Sequence, residues 1–231
     1  MTGGAQVEGF RHENKYIISQ AGYGILRSRL ASMMELDANQ ISQTGEYFIR
    51  SLYFDDSRQR ALVDKLDGIE NREKFRIRFY NMNSTFIRLE SKQKWSDLVR
   101  KESAVLTRDE TEAILKGDMW QLYYSQSELI RNFYLKYQNR CLRPAILVDY
   151  VREAYLFRDV RITFDKNLHT GNYGYKMFDR DLLTLPVLPD NQMILEVKYN
   201  HMLPESVFRL LQGVPAVRSA ISKYVLCRKY Q

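Results

Sequence analysis

The stretch that most constrains how this chain can fold is residues 74–80, KFRIRFY. Read with a period of two, it sets Lys74, Arg76, Arg78 and Tyr80 on one face and Phe75, Ile77 and Phe79 on the other, the alternation of a half-buried strand. An antiparallel sheet with one face in water explains a single such strand without any function. The period recurs, however. FRHENKYIIS (10–19), EYFIRSLYFDD (46–56), REKFRIRFY (72–80), STFIRLESKQKW (84–95), LVRKESAVL (98–106), PAILVDYVREAYLF (144–157), DVRITFDKN (159–167) and QMILEVKYN (192–200) all read as strands, several joined by short polar turns.

Helical signals fall between the runs. Ser19 caps a helix running to about Met34, SRQRALVDKL (57–66) forms a short one, and Thr107 with Glu110 makes a capping box. That box opens a mostly helical region to residue 140, broken at Gly117 and Asp118. GNYGYKMFDRDLLT (171–184) starts as a loop that can end as a strand. Pro204 opens an apolar helix, and 219–230, SAISKYVLCRKY, reads as helical. Strands in runs with fewer helices define an α+β chain, and 231 residues with 45% hydrophobic content suffice for one domain over 1–231.

The formal charge of +7 calls for an anionic partner: nucleic acid, an anionic membrane surface or a phosphorylated small molecule. The basic residues follow strand parity rather than an exposed helical stripe, which argues against a specific nucleic-acid binder. Cys141 and Cys227 lack metal-ligand spacing and read as reduced structural thiols. His12, His169 and His201 are isolated, Gly22-Tyr23-Gly24 is too short for a dinucleotide fingerprint, and no phosphate-binding G-x-x-x-x-G-K-[ST] loop is present. With neither a signal peptide nor an apolar run of membrane-spanning length, a cytoplasmic protein is expected.

Three strands share the pattern Glu-x-Lys: Glu13-Asn14-Lys15, Glu90-Ser91-Lys92 and Glu196-Val197-Lys198. In each, both charges project from the same face, and Lys74, Arg76, Arg78, Arg88, Lys94, Arg152 and Arg161 stand on further strands. Two architectures accommodate them. An open sheet leaves the charged face in water; a closed antiparallel eight-stranded tunnel barrel turns it inward and packs helices on its outside. A charged lumen is costly unless paired or filled, and a polyanion with a divalent metal would fill it. Arg forks and Lys point charges bind phosphate oxygens, and Glu carboxylates can hold Mn²⁺ or Mg²⁺. Phosphoryl transfer needs little else from a protein.

The order R-H-E-x-K-Y, R-S-L-Y-F-D, K-x-R-x-R, L-E-x-K, V-x-Y-x-R, R-I-T-F-D, L-E-V-K and C-terminal S-K-Y, from about Phe10 to Tyr224, resembles the VTC domain. This is the polyphosphate polymerase domain of the vacuolar transporter chaperone family, within the triphosphate tunnel metalloenzyme superfamily. The resemblance is to a compact, stand-alone bacterial form. It implies ATP and inorganic polyphosphate as substrates, with metal-dependent transfer of the γ-phosphate onto a growing chain. By motif, Lys15, Arg76, Arg78, Lys198 and Lys223 would be catalytic, and Lys74, Lys92, Lys94, Lys101, Arg152 and Arg161 would bind substrate. Glu196 would be the first metal ligand, and Glu13 and Glu90 would either bind metal or orient neighbouring cations. The C-terminal segment 219–230 would either plug one tunnel end, as Lys223 invites, or sit outside it, whereas Arg50, out of phase with Ser51 and Tyr53, would point away. A separate membrane protein would have to supply any channel, with this chain peripheral at the inner face. A triphosphatase and a non-catalytic polyphosphate or inositol-phosphate binding module remain the alternative readings.

Overall fold

The computed structural model describes residues 6–8, 12–37, 45–95, 98–172 and 174–230. Its strands are β1 (Gln6–Glu8), β2 (His12–Ser19), β3 (Glu35–Leu36), β4 (Glu46–Asp55), β5 (Arg72–Tyr80), β6 (Asn83–Trp95), β7 (Leu98–Leu106), β8 (Arg143–Phe157), β9 (Val160–Gly171), β10 (Leu185–Pro186), β11 (Gln192–Tyr199) and β12 (Val217–Arg218). The helices are α1 (Gln20–Ala31), α2 (Arg60–Leu66), α3 (Arg108–Lys116), α4 (Glu128–Arg140), α5 (Glu205–Leu211) and α6 (Lys223–Arg228), with short 3₁₀ turns at Trp120–Tyr124 and Gly174–Lys176. None of the described helices is long and apolar enough to cross a membrane.

All 12 strands join one antiparallel sheet in the order β1-β7-β6-β5-β4-β8-β9-β11-β2-β12, with β10 on β9 and β3 on β8. The α+β class holds, but the closed eight-stranded barrel does not form. Closure would pair β7 with β2. Among the described residues each of those edges carries a short strand instead: β1 on β7 through Gln6–Glu8, and β12 on β2 through Val217 and Arg218. Such strands satisfy the edge amides that closure would otherwise have satisfied. The sheet is therefore a deep, open-edged trough.

Its outer face carries the apolar residues of the alternation. Phe75, Ile77 and Phe79 of β5 pack with Ile87 and Leu89 of β6 beneath Ile114, Leu129 and Phe133 of α3 and α4. On the other flank, Leu26 and Leu30 of α1 and Val207 of α5 cover Ile162, Phe164, Leu195 and Val197. Arg50 does point away from the trough, but into a buried fork with Asp149 (Nη2–Oδ2 2.8 Å), and it also donates to the carbonyls of Met177 and Asp179.

Several caps follow the sequence. Ser19 Oγ accepts from Gly22 N at 3.2 Å, and Thr107 and Glu110 bond reciprocally. Three helix boundaries differ. α1 stops at Ala31; α2 starts only at Arg60, because Asp56 Oδ1 accepts the Arg58 and Arg60 amides in the preceding turn; α6 starts only at Lys223, because 217–218 are drawn into the sheet.

The trough has a floor. Tyr224 and Cys227 of α6 and Ala61 of α2 bury themselves against Ile146, Val148, Leu168 and Ile194. The C-terminal helix thus fills the apolar half of the inner face, and the charged half stays hollow. Cys227 is enclosed there, with its thiol pushed up to about 12 by burial, and Cys141 is free and exposed.

Candidate phosphate-binding site

The hollow half is a cavity of about 210 Å³, into which β2, β4, β5, β6, β7, β8, β9, β11 and α6 each send polar side chains. Strand parity delivers them: Arg76 and Arg78 lie opposite Glu90 and Arg88 in the β5–β6 ladder, while Lys15 lies opposite Glu196 and Lys198 opposite Glu13 in β2–β11. Three knots of charge result.

In the first, Glu90 is 1% exposed and takes Arg76 Nε at 2.6 Å and Lys101 Nζ at 2.8 Å, with Arg78 at 3.8 Å. Burial would raise the Glu90 carboxyl, but Arg76, Arg78 and Lys101 hold it well below the usual range. Arg76 also donates to the Tyr53 hydroxyl (2.8 Å), and Arg78 donates to Ser51 Oγ and the Tyr150 hydroxyl (2.9 Å each).

In the second, Asp165 is completely buried between Arg152 (2.6 and 2.8 Å) and Lys223 (2.5 Å). Burial opposes its charge, and Arg152 and Lys223 outweigh that, holding it at about 2.

In the third, Lys15 touches Glu13 at 2.8 Å and Glu196 at 3.6 Å, Lys198 is 3.6 Å from Glu196, and Lys92 is 2.8 Å from Glu13. Burial and Glu196 both push the Glu13 carboxyl up, yet Lys15, Lys92 and Lys198 bring it down to about 2.

Most of the residues singled out from the sequence meet here. Lys94 does not line this cavity; it stands in an adjoining one with Lys65 and Arg72. Arg161 reaches the rim but bonds Asp37 at 2.6 Å and the Tyr47 hydroxyl at 3.1 Å. The three glutamates do not gather: among the described residues no three Asp, Glu, His or Cys side chains converge on one point. Glu13 and Glu196 share Lys15, whereas Glu90 is committed to Arg76 and Lys101. Glu13 and Glu196 are the two carboxylates that meet around one lysine, and Mg²⁺-type ions often take one or two carboxylates and fill the remaining positions with phosphate oxygens and water. Sequence reasoning assigned no role to Asp165, Tyr53 or Tyr150, although Asp165 shares its parity with Arg161.

The antiparallel trough concentrates Arg and Lys around paired carboxylates, the arrangement that the resemblance implies for a VTC domain. The VTC domain family model matches residues 10–230, and the chain belongs to that family. A solved structure from Hippeastrum, a candidate adenylyl cyclase described as having a dominant triphosphatase activity, shares the fold at a TM-score of 0.56 and 16% identity, covering 97% of each chain. A candidate adenylate cyclase from Bacillus halodurans aligns at a TM-score of 0.49 and 14% identity over 89% of this chain and 87% of its own. No curated protein matches the chain.

Proposed function

We propose that the chain is a polyphosphate polymerase that transfers the γ-phosphate of ATP to the end of an inorganic polyphosphate chain. The observation that carries this reading is the cavity itself, in which Arg76, Arg78, Arg152, Lys15, Lys198 and Lys223 gather around Glu13, Glu90 and Glu196 within a chain of the VTC family. Glu13 and Asp165 sit at about 2, and Glu90 and Glu196 are likewise depressed by their cations. The terminal oxygen of a polyphosphate is already anionic and attacks without a base. In the step, that oxygen bonds to the γ-phosphorus as the bond to the β–γ bridging oxygen breaks, and ADP leaves carrying the bond's electrons. Arg76, Arg78 and Arg152 would clamp the transferring group, and Lys15, Lys198 and Lys223 would carry the flanking phosphates. A divalent ion, which Glu13 and Glu196 would hold, would supply charge neutralisation at the phosphates.

Purified protein incubated with ATP and Mn²⁺ is expected to yield ADP and long-chain polyphosphate. Orthophosphate with ADP and no polymer would instead make it a triphosphatase, and binding without turnover a non-catalytic module.

The same reading predicts a pH dependence. Burial lowers Lys74 to about 7, helped by Arg72, Lys65 and Lys92 and opposed by Asp55, while its Nζ sits 4.7 Å from the Tyr224 ring centre. A phosphate chain beside Lys74 favours its protonated form, so binding takes up a proton once the pH exceeds about 7. Below that pH the group is already charged and its contribution is fully present; above it the contribution is progressively lost. Wild-type affinity for tripolyphosphate, relative to Lys74→Met, is expected to fall by close to tenfold per unit above neutrality, the limit for one proton. Calorimetric titrations on either side of neutral pH read this, and a ratio that does not change with pH removes Lys74 from the binding equilibrium.

A further inference from the structure

The trough face of β9 carries Arg161, Thr163 and Asp165, in alternation with Ile162 and Phe164, which pack in the outer core. Arg161 is committed to Asp37 and the Tyr47 hydroxyl, and Asp165 to Arg152 and Lys223. Thr163, between them, is fully buried, and among the described residues its hydroxyl has no hydrogen-bond partner. A hydroxyl buried in this way has lost its hydration without return. Such groups in native structures mark strain, a functional role or the place of a bound water or ion.

The ladders on either side of β9 show what the hydroxyl can serve. Directly opposite Thr163 stand Ala154 of β8, which has no polar side chain, and Glu196 of β11. Residues so paired bring their Cβ atoms to about 4.5–5.5 Å, within reach of a hydroxyl and a carboxylate. Glu196 is itself short of close bonds. Glu90 takes cations at 2.6 and 2.8 Å and Asp165 at 2.5 and 2.6 Å, whereas Lys15, Arg152 and Lys198 each stand 3.6 Å from Glu196. Its two cross-strand neighbours are Lys15, which Glu13 shares, and the uncommitted Thr163.

A carboxylate that holds a metal is itself hydrogen-bonded by a neighbouring group that fixes its orientation. Building on the reading in which Glu13 and Glu196 hold a divalent ion, we infer that Thr163 is a positioning residue of that ion site. Its hydroxyl donates to the Glu196 carboxylate when the ion is bound and keeps it from swinging toward Arg152 and Lys198. In the free protein the hydroxyl has no such task, which accounts for its lack of a partner.

The test titrates the protein with Mn²⁺ alone, reading the free ion by electron paramagnetic resonance, beside thermal melts of the ion-free proteins. Thr163→Val is expected to bind Mn²⁺ about tenfold more weakly than wild type, the usual loss when an outer partner of a metal ligand is removed. Its ion-free melt should be no lower, because an apolar group of the same shape replaces a hydroxyl that had no partner. Thr163→Ser keeps the hydroxyl and should retain the wild-type affinity. Unaltered Mn²⁺ binding in Thr163→Val, with binding abolished by Glu196→Gln, overturns the inference and leaves the ion at Glu196. Binding that survives Glu196→Gln removes the ion from Glu196, and the ion reading falls together with the inference. A lower ion-free melt of Thr163→Val would show that the hydroxyl is already bonded in the free protein. A serine variant that binds as weakly as the valine variant would show that the methyl group matters instead, and either result overturns the positioning role.

Discussion

Replacing Arg76 by methionine is expected to cut turnover of ATP by roughly 10²–10³-fold, the usual cost of removing one preorganised donor from a site of developing charge. Its guanidinium is fixed from two sides, by Glu90 at 2.6 Å and the Tyr53 hydroxyl at 2.8 Å, so no reorganisation is needed when a phosphoryl group arrives. Burial works against its charge, but Glu90 and Tyr53 keep it protonated at any working pH. The methionine variant should fold, because Glu90 keeps Lys101 at 2.8 Å and Arg78 at 3.8 Å and is not left as a lone buried charge. Arg76→Lys separates charge from geometry: a planar fork is replaced by a point charge, and most of the loss should persist. Steady-state kinetics beside a thermal melt decide it. Full turnover in Arg76→Met takes the residue out of the mechanism, and a collapsed melt with proportional loss makes its role structural.

The alternation that made KFRIRFY legible as a strand also made its cations legible as one face, and both readings held: Phe75, Ile77 and Phe79 are in the core while Arg76 and Arg78 face the cavity. Local signals with local partners, such as the Ser19 cap and the Thr107 box, were equally readable. Pairings between distant segments were not. Nothing in QVE or VR announces a strand, yet these segments occupy the edges at which a barrel would close. The three Glu-x-Lys pairs look alike in sequence, and what separates them is the set of cations arriving from other strands. Arg76 and Lys101 claim Glu90, whereas Lys15 links Glu13 to Glu196. Arg161 has the right parity and a partner, Asp37, from a segment that no pattern connects to it.

Asp165 shows the same dependence on distant partners in its sharpest form. Asp165→Ala is expected to destabilise the unliganded protein by about 3–5 kcal/mol, because Lys223, 10% exposed at its side chain, loses its carboxylate and Arg152, 9% exposed, keeps only Glu196 at 3.6 Å. Asp165→Asn keeps the shape but not the charge and should fall between wild type and alanine. Lys223 opens α6, whose Tyr224 donates to Asp55 at 2.5 Å, so the unpaired ammonium loosens the helix that floors the trough. If the cavity binds phosphate chains, the lost anion can be supplied from solution: tripolyphosphate should raise the urea midpoint of Asp165→Ala more than that of wild type, since it binds a folded state in which Lys223 is uncompensated and Arg152 keeps only Glu196. An equal shift for both proteins would mean that Arg152 and Lys223 do not meet the ligand. No destabilisation at all would mean that water reaches the pair despite its burial, and the charge balance of the cavity would then rest on solvent rather than on Asp165.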